Sequence, residues 1–312
     1  MSTNGVDTAN SDQGLAQDIR ITDRITDRIT DRERIVAVLT DPAYTVPEPP
    51  QDGVPGTLAW LRASASRFAN GDAHQMRRER VQAELSGLAA CDLSEMAAVR
   101  TRARCANSDA GASNCIDAIA FHVPVAVLAE ALGFAEPERM PALVGVVAPS
   151  YFTGEGTQAT DAAVQELLAA ATADAPGVDT ALARVSILIQ SYDATGRLIE
   201  RAVGWAARAD PGMSVEAILD EVLRLAPPVA VLRRQDSVGR IVEIDVTSAE
   251  FSGASEQYDG QPPLTFGFGE RRCPGISESI DIATGVVSAI RADLRNRAGR
   301  RNSADRRNSG EA

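Results

Sequence analysis

The stretch LTFGFGERRCPGI, Leu264 to Ile276, sets a cysteine in a loop of three glycines, two arginines and a proline, directly before an apolar-periodic run. A thiolate that ligates a metal must be held by donors that do not quench it, and backbone N–H groups in a tight Gly-rich turn meet that need. Gly267, Gly269 and Gly275 permit such a turn. The run from Ile276 predicts a helix whose positive N-terminal end faces the sulfur, worth roughly 0.3–1 kcal/mol for a nearby anion. Arg271, two residues before Cys273, is placed to meet an acidic cofactor group through charge-assisted hydrogen bonds. The remaining cysteines, Cys91, Cys105 and Cys115, form no CxxC and no zinc-finger spacing, and read as small core hydrophobes.

The spacing Phe266-x-x-Gly269-x-Arg271-x-Cys273-x-Gly275 resembles the haem-ligand loop of the cytochrome P-450 family. The resemblance implies a haem-thiolate protein carrying haem b (iron protoporphyrin IX), with Cys273 as metal ligand and Phe266, Arg271 and Gly275 in the cofactor site. Other segments agree in order. Glu221-x-x-Arg224 in DEVLRLAPPV lies on a helix whose Val215, Ile218, Leu219, Val222 and Leu223 point inward, and looks like the family's K-helix pair. Alone, such a pair is usually a surface ion pair worth little. The following APPVAVLRR supplies Arg234 at the position from which the family reaches a haem propionate, with Arg233 beside it. His74 and Arg78 in DAHQMRRERV, one helical turn apart, resemble the C-helix pair that also binds propionates. His122, in AFHVPVAVLAEALGF, is read as structural.

The central segment ILIQSYDATGRLI, Ile187 to Ile199, is similar to the family's oxygen-activating helix, but departs from it. Gln190, Ser191, Tyr192, Asp193 and Ala194 stand where the family has Ala-Gly, a variable residue, an acid and threonine. Polar residues inside an apolar helix imply a cavity or partners. Asp193 is the candidate proton carrier and Tyr192 a further acid/base group. The relay hydroxyl is missing at Ala194, and Thr195 comes one place late, about 100 degrees round the helix.

The bulk numbers suit one large domain or two small ones and favour a mainly helical enzyme: 312 residues, 44% hydrophobic, only 4% aromatic. A net charge of -12 argues against nucleic-acid binding, and all 31 basic residues are arginine, leaving no lysine Schiff-base chemistry. No apolar run is long enough to span a membrane, and the N-terminal sequence lacks a signal-peptide pattern, so a soluble cytoplasmic protein is expected. Residues 1–32, with the Ile-Thr-Asp-Arg repeat, read as a partly disordered extension ending in a frayed helix. Residues 33–297 read as the haem-thiolate domain, and the arginine-rich 298–312 as a disordered tail. Helices are expected over 33–39, 73–85, 125–132, 162–171, 180–207, 214–225 and 277–294, with strands only in VAVLRR and RIVEIDV.

The expected architecture is a compact, truncated cytochrome P-450-like fold, mainly α with a small residual β-sheet. The chain is shorter than family members usually are, and little room precedes residue 33 for the first helix and main N-terminal strands. From Ile241 to Glu270 no basic residue occurs to give the Glu221/Arg224 pair its usual third partner. The implied activity is oxidation of a specialised small molecule or peptide in secondary-metabolite biosynthesis. As a monooxygenase it would draw electrons from a ferredoxin-type donor; as a peroxygenase it would use peroxide. The altered relay also admits non-monooxygenase haem chemistry such as cyclisation, dehydration or rearrangement, and the missing scaffold admits a catalytically silent haem-binding module.

Overall fold

The structure, a computed structural model, describes residues 25–106, 116–172, 177–247 and 263–308. Helices dominate: α1 (Arg32–Thr40), α2 (Leu58–Ser64), α3 (Gly71–Ser86), α4 (Leu93–Ala106), α5 (Ile116–Ala131), α6 (Met140–Thr153), α7 (Gln158–Ala171), α8 (Val178–Ala206), α9 (Val215–Leu225) and α10 (Ile276–Asn308). Strands β1 (Ile25–Ile29), β2 (Val231–Gln235) and β3 (Ile241–Asp245) form one small sheet in the order β1-β3-β2. The mainly helical fold with a residual sheet is thus as expected from the sequence.

At the centre lies α8, buried over most of its first half and packed by α3, α5, α6, α7, α9 and α10. Its apolar residues meet these neighbours, while Asp193 and Arg197 keep a partly exposed polar flank. The backbones of α4 and α10 approach closest at Gly285, where an added Cβ would lie 2.0 Å from the Ser94 carbonyl oxygen. A second, smaller core joins α1 to the sheet through Ile29, Ile35, Val38, Leu39, Val242, Ile244 and Leu264. Leu264 therefore ties the start of the cysteine loop to the sheet, while α10 fixes its end.

Three helices lie outside the sequence-based expectation. The short α2 spans under two turns, α4 has a weak apolar stripe, and α6 contains Gly145 and Pro149, so tertiary packing decides them. The Ile-Thr-Asp-Arg repeat also ends differently. Ile25–Ile29, expected to be helical, is strand β1, paired in parallel with β3. A register shift between Ile25 and Asp27 turns Ile29 inward, to 2% exposure, and the open side of β3 offers backbone partners that a short isolated helix lacks. One strand therefore does precede α1. At the other end α10 continues through Asn308, into the segment expected to be a tail. The two expected strands pair as the β2–β3 hairpin, closed over Asp236–Arg240. Among the described residues no helix is long and apolar enough to cross a membrane.

Candidate functional site

Between Leu264 and Ile276 the backbone folds on itself. Gly267 and Gly269 take φ of 73° and 64°, the left-handed region that a side chain resists. The Cys273 N–H donates to the Phe266 carbonyl at 2.7 Å, and Gly267 N–H to Leu264 at 2.8 Å. The Gly275 N–H is close enough to the Cys273 sulfur to favour its anion, and α10 starts at the next residue, so the thiol lies by a helix N-terminus as expected. The Phe266 ring packs against the main core.

Cys273 is exposed, yet burial is the largest influence on its thiol and pushes the pKa up. The Gly275 N–H, Arg78 and Arg67 pull it down, and Glu278 adds to the rise. A group that touches solvent while protein surrounds it lies in a concavity. Arg67 behaves alike: its side chain reaches solvent, yet burial first of all lowers its pKa. The two face each other electrostatically, so they share that concavity. The resting group is the thiol, and metal binding would release its proton.

Four sequence-predicted residues converge here. Arg78 of α3 donates to the Arg272 carbonyl, tying that helix to the cysteine loop, while its Nε is buried without an acceptor. Arg271 donates to the Ala69 carbonyl and to Asn70 Oδ1, both at 2.8 Å, and so anchors the segment entering α3. Arg234 of β2 is 7% exposed and, among the described residues, donates only to the Arg233 carbonyl, at 2.9 Å. Burial, then Arg271 and Arg67, lowers its pKa to about 10. His74 drops to about 4, from burial first and then Arg271, Arg78 and Arg234, so at neutral pH it is an uncharged donor. Arg233 is turned away, paired with Glu243 at 2.8 Å, which leaves Arg234 as the inward arginine. Among the described residues neither Arg78 nor Arg234 has a carboxylate partner. Buried guanidinium charge without an anion is costly, and a bound group bearing carboxylates would offset it. The donors present therefore fit the two acidic groups of a haem, with Cys273 at its metal.

The central helix is different. The Thr195 hydroxyl is 3.0 Å from that of Ser279 on α10, and the residue is 2% exposed, so it faces the last helix. Tyr192 packs against Phe121, ring centroids 5.3 Å apart, on the α5–α6 side. Asp193 lies 3.9 Å from Arg197, one turn on, both partly exposed. Gln190 and Ser191 return their polar groups to the Ser186 and Leu188 carbonyls. Thr195 thus faces α10, while Tyr192 and the Asp193–Arg197 pair share the Phe121 side of α8.

Comparison with known proteins gives no matching family model and no matching curated sequence. Solved structures do match. P450 EryK from S. erythraea superposes with a TM-score of 0.63 at 19% identity, covering 85% of this chain and 82% of that one. The fold is that of the cytochromes P450. A P450 from the thermoacidophilic archaeon Picrophilus torridus gives 0.64 at 16%, covering 84% and 88%. P450BioI, solved with an acyl carrier protein ligated to hexadec-9Z-enoic acid, gives 0.63 at 16%, covering 84% and 83%.

Within the P450 fold, Glu221 and Arg224 of α9 do pair, at 2.8 Å and about one-third exposed. His122 sits in a network with Arg104 and Glu138 between α4 and α5, a structural placement. Arg67 was not legible in the sequence. It stands in the 3-10 turn Ser66–Phe68, with no periodicity to aim it.

Proposed function

We propose that this chain is a haem-thiolate enzyme that oxidises a specialised small molecule or peptide in a biosynthetic route. The observation that carries this reading is a pair of guanidinium groups, Arg78 and Arg234, that have no carboxylate partner among the described residues, with Arg78 close to the thiol of Cys273. Cys273 would hold the iron of haem b, with His74, Arg78 and Arg234 meeting its acidic groups and Arg271 bracing the segment that presents His74. Phe266 and Gly275 shape the loop around the sulfur. Bound haem supplies one-electron and oxygen chemistry. Asp193 is the chain's own proton carrier: its carboxylate lies on the flank of α8 and is held by Arg197. Tyr192 orders that flank through its ring contact with Phe121.

Among the structural neighbours, P450 EryK is solved with erythromycin B and P450 RauA with a biosynthetic intermediate of aurachin RE. Such company supports a biosynthetic substrate, free or carrier-bound. We place the protein in the cytoplasm and take a ferredoxin-type donor as its partner when dioxygen is the oxidant. The engaged hydroxyl of Thr195 and the methyl of Ala194 favour a second reading: peroxide as oxidant, or a non-monooxygenase cyclisation, dehydration or rearrangement. Side-by-side turnover with peroxide and with reduced ferredoxin separates these.

The deciding experiment is spectral. The haem-loaded, reduced protein under carbon monoxide should show the far-shifted Soret band of thiolate ligation, and Cys273→Ser should abolish it. A band that survives the substitution refutes the assignment.

A further inference from the structure

We propose that the substrate carries a carboxylate and that Arg67 is the residue that binds it; this deepens the haem-thiolate reading and rests on it. The Arg67 guanidinium carbon lies 4.8 Å from the centre of the Phe152 ring, at the end of α6. Two residues on, the Ala69 carbonyl accepts from Arg271 of the cysteine loop at 2.8 Å, so Arg67 stands between the end of α6 and that loop. Among the described residues it makes no salt bridge. An arginine laid on an aromatic face is positioned by the ring while its N–H fork stays free for a planar anion.

The acidic groups near it do not take up that charge. Tyr151 is fully buried, and burial pushes its phenol up to about 12 despite Arg67 and Arg62, so it is neutral. Its hydroxyl has no aligned hydrogen-bond partner, although the Ser186 hydroxyl is close enough to act on it. Cys273 would be committed to the metal.

Arg62, the neighbouring cation, already has a structural task. It donates to the Phe152 carbonyl at 3.4 Å, covers the Phe68 ring at 4.9 Å and packs on Gly154, where an added Cβ would meet its Nη1 at 2.1 Å. Arg78, Arg234 and His74 suffice for two cofactor carboxylates. Arg67 is the cation left over, in a concavity of a protein whose net charge is -12. There a single free guanidinium selects an anion by local pairing, since the protein's long-range field repels one.

The test uses haem-loaded protein titrated with imidazole, then with imidazol-1-yl alkanoic acids of graded chain length and their matched primary amides. The readout is the Soret shift on iron ligation, with haem per chain measured on the same samples. At the best chain length the acid should bind about tenfold tighter than the amide, the magnitude of a charge-assisted contact over a neutral one. In Arg67→Gln acid and amide should bind alike with haem content retained, and Arg67→Lys should keep part of the preference. An acid preference that survives Arg67→Gln overturns the assignment, as does loss of haem in that variant, which would make Arg67 a cofactor residue. No shift with imidazole itself overturns the iron-ligand reading, and the Arg67 assignment with it.

Discussion

The cysteine-loop wall and the central helix α8 both place polar side chains inside an apolar protein, and they treat them in opposite ways. On the wall, among the described residues, Arg78 Nε has no acceptor and Arg234 no carboxylate. On α8, Gln190 and Ser191 bond to their own helix, Asp193 faces Arg197 and Thr195 faces Ser279. Unsatisfied buried charge is stable only if a ligand completes it, whereas satisfied groups are structural until something displaces their partners. The donors of the wall therefore fit an anionic cofactor, whereas on the helix the Asp193 carboxylate is held by Arg197 and must leave that contact to carry a proton.

The largest effect that could break this contrast is on the wall. Arg234→Gln should weaken haem binding by about a hundredfold while making the cofactor-free chain more stable, because it removes a buried charge without an anion. Haem titration and thermal melts of the same samples check both signs; a less stable cofactor-free variant with unchanged haem affinity would mean that Arg234 is satisfied within the protein. Next comes α8. Asp193→Asn should cut turnover by about tenfold, less than the roughly hundredfold or more of a fully positioned acid/base group because Arg197 holds the carboxylate. Equal turnover in wild type and variant removes Asp193 from the chemistry.

A smaller change is expected for Thr195→Ala, which loses the contact with Ser279 and should cost about 1 kcal/mol of stability with little change in turnover. A turnover loss larger than that of Asp193→Asn would make Thr195 the relay after all. The smallest effect concerns His74. Its folded pKa of about 4 lies below the ordinary 6.5, so the unfolded chain takes up the proton first. That contribution to stability of the cofactor-free protein is complete above pH 6.5 and is lost as pH falls to about 4. Melting temperatures across this window should fall less steeply in His74→Gln; parallel curves would show that Arg271, Arg78 and Arg234 do not act on the imidazole.

Most of the wall could be read from the chain because its residues sit at fixed intervals on elements with strong local signals. His74 and Arg78 share one face of α3, and the glycines around Cys273 mark a turn. Arg67 had no such marker, since an arginine in a 3-10 turn can point anywhere until α6 brings Phe152 over it. Thr195, one place late for the relay position, has its hydroxyl 3.0 Å from that of Ser279, a contact that the packing of α8 against α10 decides and the spacing does not. The Ile-Thr-Asp-Arg repeat fits a helix by period, and only the open side of β3 makes its end a strand.

By itself the sequence determined the cysteine turn, the helix that follows it and the identities of most donors around the thiol, because backbone freedom and helical spacing are local properties. Tertiary structure alone decided which charges remain uncompensated, which hydroxyl is engaged and that Arg67 joins the cleft. Those outcomes depend on what a neighbouring element presents across the gap, and no interval along the chain encodes that.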